Sequence, residues 1–106
     1  MLGFTYRESL KSKKNEKILP ELDVFGNVIS EKNRIEILNL MVKKGAVTIR
    51  EIEQELGFTA TNAYYHIMLM QKAGMLQCGN VGRTIFYSLD KEYFEKLEKM
   101  IKKYTK

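Results

Sequence analysis

Two helix signals that lie only a few residues apart near the middle of the chain constrain its fold more than any other feature. The first starts at Thr48, where Glu51 completes the pattern of a capping box, and it stops at Gly57. The second starts at Thr59, a favoured N-cap residue, and stops at Gly74. Because so little chain separates them, the two segments predict a helix-turn-helix motif.

Two further helices are predicted before this motif. Pro20 suits the first turn of one of them, and Ser30 is a favoured N-cap for the next, which we expect to end near Gly45. The apolar face expected on that second helix consists of Ile35, Leu38, Met41 and Val42, with Ile37 and Leu40 widening it. A helix with this much apolar surface is predicted to lie centrally in the core.

A β-hairpin and a final helix are predicted after the motif. Two β-prone runs, residues 75–78 and 84–89, flank a turn rich in Gly and Asn over residues 79–83. Asp90 is placed to cap a helix that extends over residues 90–105. The predicted fold class is therefore mainly α (α+β), a helix-turn-helix with a two-stranded wing and a C-terminal helix.

The composition fits a single small domain without disulfides. The chain has 106 residues, 44% of them apolar, and we expect the domain at residues 20–106, after a basic tail at residues 1–19 that is flexible or ordered by a partner. The net charge of +5 suits a nucleic-acid partner and an ordinary Lys/Glu-rich surface equally. Cys78 is the only cysteine, and no apolar run is long enough for a signal peptide or a membrane span, so a cytoplasmic protein is expected.

Residues 33–89 resemble an ArsR-type winged-helix transcriptional regulator. The matching residues are Arg34-x-x-Ile37-Leu38 in the central helix, Ile49-x-x-Ile52 and Leu56-Gly57 in the first motif helix, His66-Ile67-x-x-Met70 with Ala73-Gly74-Met75-Leu76 in the second, and Gly82-Arg83-x-x-Phe86-Tyr87 in the hairpin. The resemblance implies a DNA-binding transcriptional regulator, a repressor rather than an activator, that acts as a homodimer.

The chain departs from that family's pattern in two places. Tyr64 and Tyr65 stand where the family usually has Ser-Arg before the histidine. The first motif helix lacks the Cys-x-Cys motif of the metal-sensing members, and the final helix lacks a cluster of ligand residues. No metal or other cofactor is therefore expected, and a small-molecule effector stays undefined.

The resemblance implies that the second motif helix, residues 59–73, enters the major groove of double-stranded DNA, while the wing, residues 77–88, contacts the adjacent backbone or minor groove. The residues expected to contact DNA are Thr59, Thr61, Asn62, Tyr64, Tyr65, His66, Lys72 and Arg83. Hydroxyl groups suit phosphates, and an asparagine amide suits adenine. No Asp or Glu lies between Glu55 and Asp90, so this region lacks carboxylates that would repel phosphate. A neutral surface that contacts protein is the alternative.

The single histidine and the single cysteine each allow more than one role. For His66, packing at the junction of helix and wing or a hydrogen bond to a phosphate is favoured over a metal site, because no cysteine or carboxylate stands at ligand spacing. For Cys78, a buried inert thiol is the default and a redox switch is the alternative.

The final helix carries a longer apolar stripe than one small domain needs. The resemblance implies a two-fold dimer built from the first and last helices. The residues expected in its interface are Leu22, Phe25, Phe94, Leu97, Met100, Ile101 and Tyr104. A final helix that folds back on its own core is the alternative.

An enzyme is not expected, because the sequence has no Gly-rich phosphate loop, no HExxH or CxxC motif and no plausible triad. The main rival to DNA binding is a protein-interaction winged helix, an adaptor in a transcription complex. Tyr64 and Tyr65 would suit such an interface, since tyrosine is enriched where proteins meet.

Overall fold

The computed structural model describes residues 18–106, so most of the predicted tail at residues 1–19 lies outside the described residues. Five α-helices and three β-strands occur in the described part. In chain order they are α1 (Leu22–Ile29), α2 (Lys32–Lys44), β1 (Ala46–Val47), α3 (Ile49–Leu56), α4 (Ala60–Lys72), β2 (Leu76–Val81), β3 (Thr84–Leu89) and α5 (Lys91–Lys102). A 3-10 turn at Lys103–Thr105 follows α5.

The predicted helix-turn-helix is confirmed as α3 and α4, together with the caps that define it. The Thr48 hydroxyl accepts a hydrogen bond from the backbone N–H of Glu51 at 3.1 Å, and the Glu51 carboxylate accepts from the Thr48 N–H at 3.0 Å. Gly57 ends α3 in the left-handed region, with φ of 76°. The Thr59 hydroxyl then accepts from the N–H of Asn62 at 3.1 Å. Both helix starts are thus fixed by side chains within the same short segment.

The predicted end of α4 at Gly74 is also confirmed. Gly74 has φ of 90°, its N–H donates to the Gln71 carbonyl at 3.0 Å, and the Met75 N–H donates to the Met70 carbonyl at 3.1 Å. These two bonds form a Schellman motif, in which a residue with positive φ turns the chain out of the helix. The chain therefore leaves α4 directly into β2.

The hairpin is confirmed, but its turn is shorter than predicted and its sheet has a third strand. Val81 pairs with Thr84, so only Gly82 and Arg83 form the turn, and Gly82 takes a φ of 62°. The segment 79–81, predicted as turn, instead continues β2 along β3. On its other edge β3 pairs antiparallel with β1, giving the strand order β1-β3-β2.

The starts of the first two helices differ from the prediction. α1 begins after Glu21 and not at Pro20. The N-cap of α2 is Glu31, whose carboxylate accepts from the N–H of Asn33 at 2.7 Å. The Ser30 hydroxyl instead donates to the carbonyl of Asn27 at 2.7 Å, so it serves the end of α1 and not the start of α2.

The central position of α2 is confirmed, whereas its predicted apolar face is confirmed only for Ile37, Leu40 and Met41. α2 contacts α1, α3, α4, β1 and β3. Its buried residues are Arg34, Ile37, Leu40 and Met41. Val42 is 71% exposed, and Ile35 and Leu38 are only half-buried. Neighbouring positions on a helix point about 100° apart. The buried face of α2 is centred one residue earlier in the chain than the predicted face, and Val42 therefore points into solvent.

Candidate nucleic-acid interface

The N-terminal half of α4 presents a continuous exposed surface. Six residues are exposed and form what we call the outer face of α4: Thr59, Ala60, Thr61, Asn62, Tyr64 and Tyr65. The two tyrosines keep 52% and 57% of their surface exposed. Large aromatic side chains this open to solvent, beside a polar helix start, are available for contact with another molecule.

The opposite face of α4 holds the helix on the core. Ala63, Ile67 and Met70 are fully buried, at the spacing expected for one side of a helix. Leu69, between two of these residues, is only half-buried and lies outside the core cluster. Because the buried side is fixed, the orientation of the outer face is fixed as well.

The charge around the outer face of α4 suits an anion. Residues 56–89 contain no Asp or Glu, and the first turn of α4 contains no acidic residue. Lys72 and, at the tip of the wing, Arg83 are both exposed. The positive end of the α4 dipole is therefore not offset by a carboxylate from its own first turn.

The acidic residues of the motif lie on α3 instead. Lys44, at the end of α2, places its Nζ 3.6 Å from Oε2 of Glu51 and 3.5 Å from Oε2 of Glu55. Such exposed ion pairs stabilise a protein little, but they balance part of the negative charge of α3. The two helices of the motif thus carry different electrostatic surfaces.

His66 is buried, although the sequence placed it among the residues expected to contact DNA. Its side chain is buried, with 7% exposure, and its Nδ1 lies 3.2 Å from Nη1 of Arg34. The ring of Tyr65 packs edge-on against the imidazole at 5.4 Å between centroids. Of the roles expected for His66, packing and hydrogen bonding inside the protein is the one observed. Its hydrogen-bond partner, Arg34, lies on α2 and not on the wing.

Arg34 is the residue of this region whose role the sequence did not reveal. It is 8% exposed, and its Nε donates to the carbonyl of Val28 at 2.7 Å. The sequence showed Arg34 only as part of a family pattern at the start of an apolar helix. A buried arginine amid apolar residues needs hydrogen-bond acceptors, and this is the signal that could have pointed to an internal partner.

The surface formed by α1 and α5 is partly core and partly exposed. Leu97, predicted in a dimer interface, is buried in its own chain at 4% exposure, and is therefore a core residue. Phe25 and Phe94 join α1 to α5 in an edge-on contact of 6.5 Å. Beyond them Ile101 and Tyr104 are 41% and 66% exposed. The other predicted interface residues, Leu22 and Met100, are half-buried.

Cys78 is a free thiol on β2. Cys78 is half-buried and not fully buried as expected, and its Sγ accepts a hydrogen bond from Nε2 of Gln71 at 2.9 Å. Among residues 18–106, no group of three or more His, Cys, Asp or Glu side chains is arranged to hold a metal ion. Within the same residues, none of the helices has the length and apolar composition that crossing a membrane requires.

A helix-turn-helix with an exposed second helix, followed by a hairpin that pairs with a strand before the motif, defines a winged helix-turn-helix protein. The chain belongs to the family of FaeA-like proteins, whose family model matches residues 32–86, from α2 into β3. This match contains the complete helix-turn-helix and most of the wing.

Solved structures share the fold over most of the chain. An ArsR family transcriptional regulator superposes with a TM-score of 0.67 at 18% identity, over 79% of this chain and 86% of its own. The homodimeric winged helix-turn-helix DNA-binding domain from Mycobacterium bovis gives 0.64 at 18% identity, over 79% and 77%. HlyU from Vibrio cholerae gives 0.63 at 17% identity, over 80% and 92%. The resemblance to ArsR-type regulators drawn from the sequence is thus confirmed for the fold.

Proposed function

We propose that this protein is a transcriptional regulator that binds specific double-stranded DNA through the outer face of α4. The observation that carries the proposal is the exposure of that face, polar and aromatic, in a region of the chain without carboxylates. An α-helix fits the major groove of B-DNA, and the second helix of a helix-turn-helix enters it with its N-terminal residues.

Five of the six residues of the outer face have a chemically suitable role on DNA. The amide of Asn62 can pair with both hydrogen-bonding groups of an adenine edge. The hydroxyls of Thr61, Tyr64 and Tyr65 can donate to phosphate oxygens. Thr59 already accepts the N–H of Asn62, which leaves its hydroxyl proton for a phosphate.

The wing and the end of α4 extend the proposed interface. Arg83 stands in the two-residue turn at the tip of the wing and is exposed, so it suits the backbone or the minor groove beside the reading helix. Lys72 is exposed at the other end of α4 and suits a phosphate. His66, being buried, is left out of the interface.

Selection of bound duplexes from a random pool, followed by titration of the best duplex at increasing salt, tests the proposal. We expect a sequence preference with two-fold symmetry, and an affinity that falls steeply with salt because bound phosphates release counterions. Asn62→Ala or Tyr65→Ala should cost about 1–3 kcal/mol of binding free energy on the selected duplex. Asn39→Ala, on the exposed side of α2, is the matched control and should bind as the unmodified chain does.

The same measurements decide between DNA binding and the main rival, an adaptor that binds protein through this face. Val81 and Ile85, exposed on the wing at 52% and 48%, favour that rival together with the two tyrosines. A flat salt response, or unchanged affinity in both the Asn62 and the Tyr65 variants, would contradict DNA reading by α4.

We further propose that the protein acts as a homodimer, through the exposed apolar residues of α1 and α5. The similar domain from Mycobacterium bovis is homodimeric, and a two-fold dimer would present two copies of α4 to a symmetric site. Repression is the proposed outcome, since a dimer on a promoter blocks access by other proteins.

Charge placed on the α5 surface is expected to separate the dimer. Ile101→Asp buries a carboxylate in the proposed interface, so light scattering should report a monomer where the unmodified chain is a dimer. Val42→Asp is the control, because Val42 is an equally simple aliphatic residue on a helix, with 71% exposure on α2. If both variants keep the mass of a dimer, the interface lies elsewhere.

A further inference from the structure

One buried side chain ties three helices together behind the outer face of α4. The guanidinium of Arg34, on α2, donates from Nε to the carbonyl of Val28 at 2.7 Å and from Nη2 to the carbonyl of Asn27 at 3.4 Å. Both carbonyls belong to the last turn of α1. On its other side Nη1 lies 3.2 Å from Nδ1 of His66, on α4. The proposed dimer helix α1 is therefore joined to the proposed reading helix α4 through Arg34.

This arrangement fixes the protonation state of His66. A guanidinium has only hydrogen-bond donors, so Nδ1 must act as the acceptor, and the imidazole is neutral with its proton on Nε2. A proton added to Nδ1 removes the acceptor and leaves two cations 3.2 Å apart in a buried site. Like charges at that distance, away from water, repel strongly.

The surroundings of His66 favour the neutral ring. Burial lowers its pKa below the usual 6.5, and the charge of Arg34 lowers it further, while the carboxylate of Glu31, at the N-cap of α2, acts in the opposite direction. From α4 itself, Tyr65 packs on the ring, and Phe58, before α4, lies 6.3 Å away between ring centroids. The charged or titratable groups around the imidazole are therefore Arg34, Glu31 and Tyr65.

We propose that His66 and Arg34 are positioning residues that hold the outer face of α4 in register with α1, and that protonation of His66 releases this hold and weakens DNA binding. The inference rests on the proposed function of α4. Protonation of His66 would be transmitted to the outer face of α4 through Tyr65, because the Tyr65 ring packs against the imidazole. Acidification would thus lower the affinity for DNA through a residue that does not touch DNA.

The direction of this effect opposes the general effect of acid on a basic protein. Protonation elsewhere adds positive charge, which strengthens binding to phosphates. Affinity should be constant above about pH 6.5 and should fall as the pH drops through the lowered pKa of His66. The decline should approach about tenfold per pH unit for one proton.

The test measures affinity for the selected duplex at constant salt, from about pH 8 down to below the NMR midpoint of the His66 ring, with circular dichroism confirming the fold at each pH. His66→Asn is the conservative variant, because its side-chain oxygen occupies the position of Nδ1 and accepts from Arg34 without titrating. It should bind as the unmodified chain does near pH 8 and show no acid decline. Since the chain has one histidine, no other imidazole contributes to the difference. His66→Leu, which keeps the bulk without the acceptor, should bind weakly at every pH.

A second measurement needs no DNA. In the free protein, NMR signals of the Val28 and Tyr65 amides should shift with the same midpoint as the His66 ring, and these shifts should vanish in His66→Asn. An acid decline that persists in His66→Asn, a flat profile in the unmodified chain, or amide midpoints unrelated to His66 would each overturn the inference. Absence of duplex binding near pH 8 would instead contradict the proposed function, and the NMR titration would still decide whether His66 couples the two helices.

Discussion

Replacing Ile67 by alanine is expected to lower the free energy of unfolding by about 3–4 kcal/mol, within the range of roughly 2–5 kcal/mol found for aliphatic residues deleted from cores. Ile67 is fully buried, on the side of α4 that faces the core. The substitution removes buried apolar surface and leaves a cavity that rigid neighbours cannot fill. Urea unfolding followed by circular dichroism measures the loss.

Leu69→Ala provides the matched control for this prediction. Leu69 lies two residues further along α4, and the substitution deletes an aliphatic side chain of the same size. Leu69, however, is half-buried and outside the core cluster. We expect a loss of about 1 kcal/mol, the typical effect of substitutions away from a packed core. Equal losses at the two positions would show that the two sides of α4 are packed alike, contrary to the structure.

Replacing Gly74 by alanine is expected to cost about 2–5 kcal/mol, from two causes that act together. Its φ of 90° is a conformation that a residue with a Cβ adopts at a cost of roughly 1–2 kcal/mol. A Cβ at this position would also lie 2.7 Å from Cγ2 and 2.8 Å from Cβ of Ile18. The second atom belongs to the rigid part of Ile18, so the chain before α1 must shift, and overpacking of this kind costs about 1–3 kcal/mol.

Gly45→Ala separates the two causes. Gly45 ends α2 with the same φ of 90°, but a Cβ there would meet nothing within 4 Å. The Gly45→Ala variant should therefore lose about 1–2 kcal/mol of unfolding free energy, from the backbone conformation alone. Thermal unfolding of the two variants side by side gives the difference, which is assigned to Ile18. If the two losses are equal, the segment around Ile18 yields freely and does not pack against the end of α4.

The features of the fold that the sequence predicted correctly are those fixed by neighbouring residues. Thr48 with Glu51, Thr59 and Asp90 all cap helices as expected, because a cap is a contact over three residues. Ser30 fulfils the same composition rule, yet Glu31 caps α2. Two adjacent residues that can both accept a hydrogen bond are not distinguished by composition, and the path of the chain out of α1 decides between them.

The features that the sequence misplaced or did not reveal are decided by the tertiary packing of the chain. The buried side of α2 was misplaced because its apolar residues cover most of the helix, so that periodicity does not define one face. The pairing of β1 with β3 joins residues 46–47 to residues 87–88. The burial of His66 likewise depends on Arg34, 32 positions earlier. The exposed polar start of α4 was predictable, because it needs no distant partner.

The antiparallel pairing of β3 with both other strands has a mechanical consequence. β1 immediately precedes the residue that caps α3, so the wing is bonded at its base to the entrance of the helix-turn-helix. The hairpin cannot swing as a free flap without breaking those bonds, whereas residues added in the turn at Gly82 and Arg83 would leave every rung of the ladder in place. The length of the wing and the placement of α4 are therefore independent, so that evolution or design can lengthen the wing without changing the position of α4.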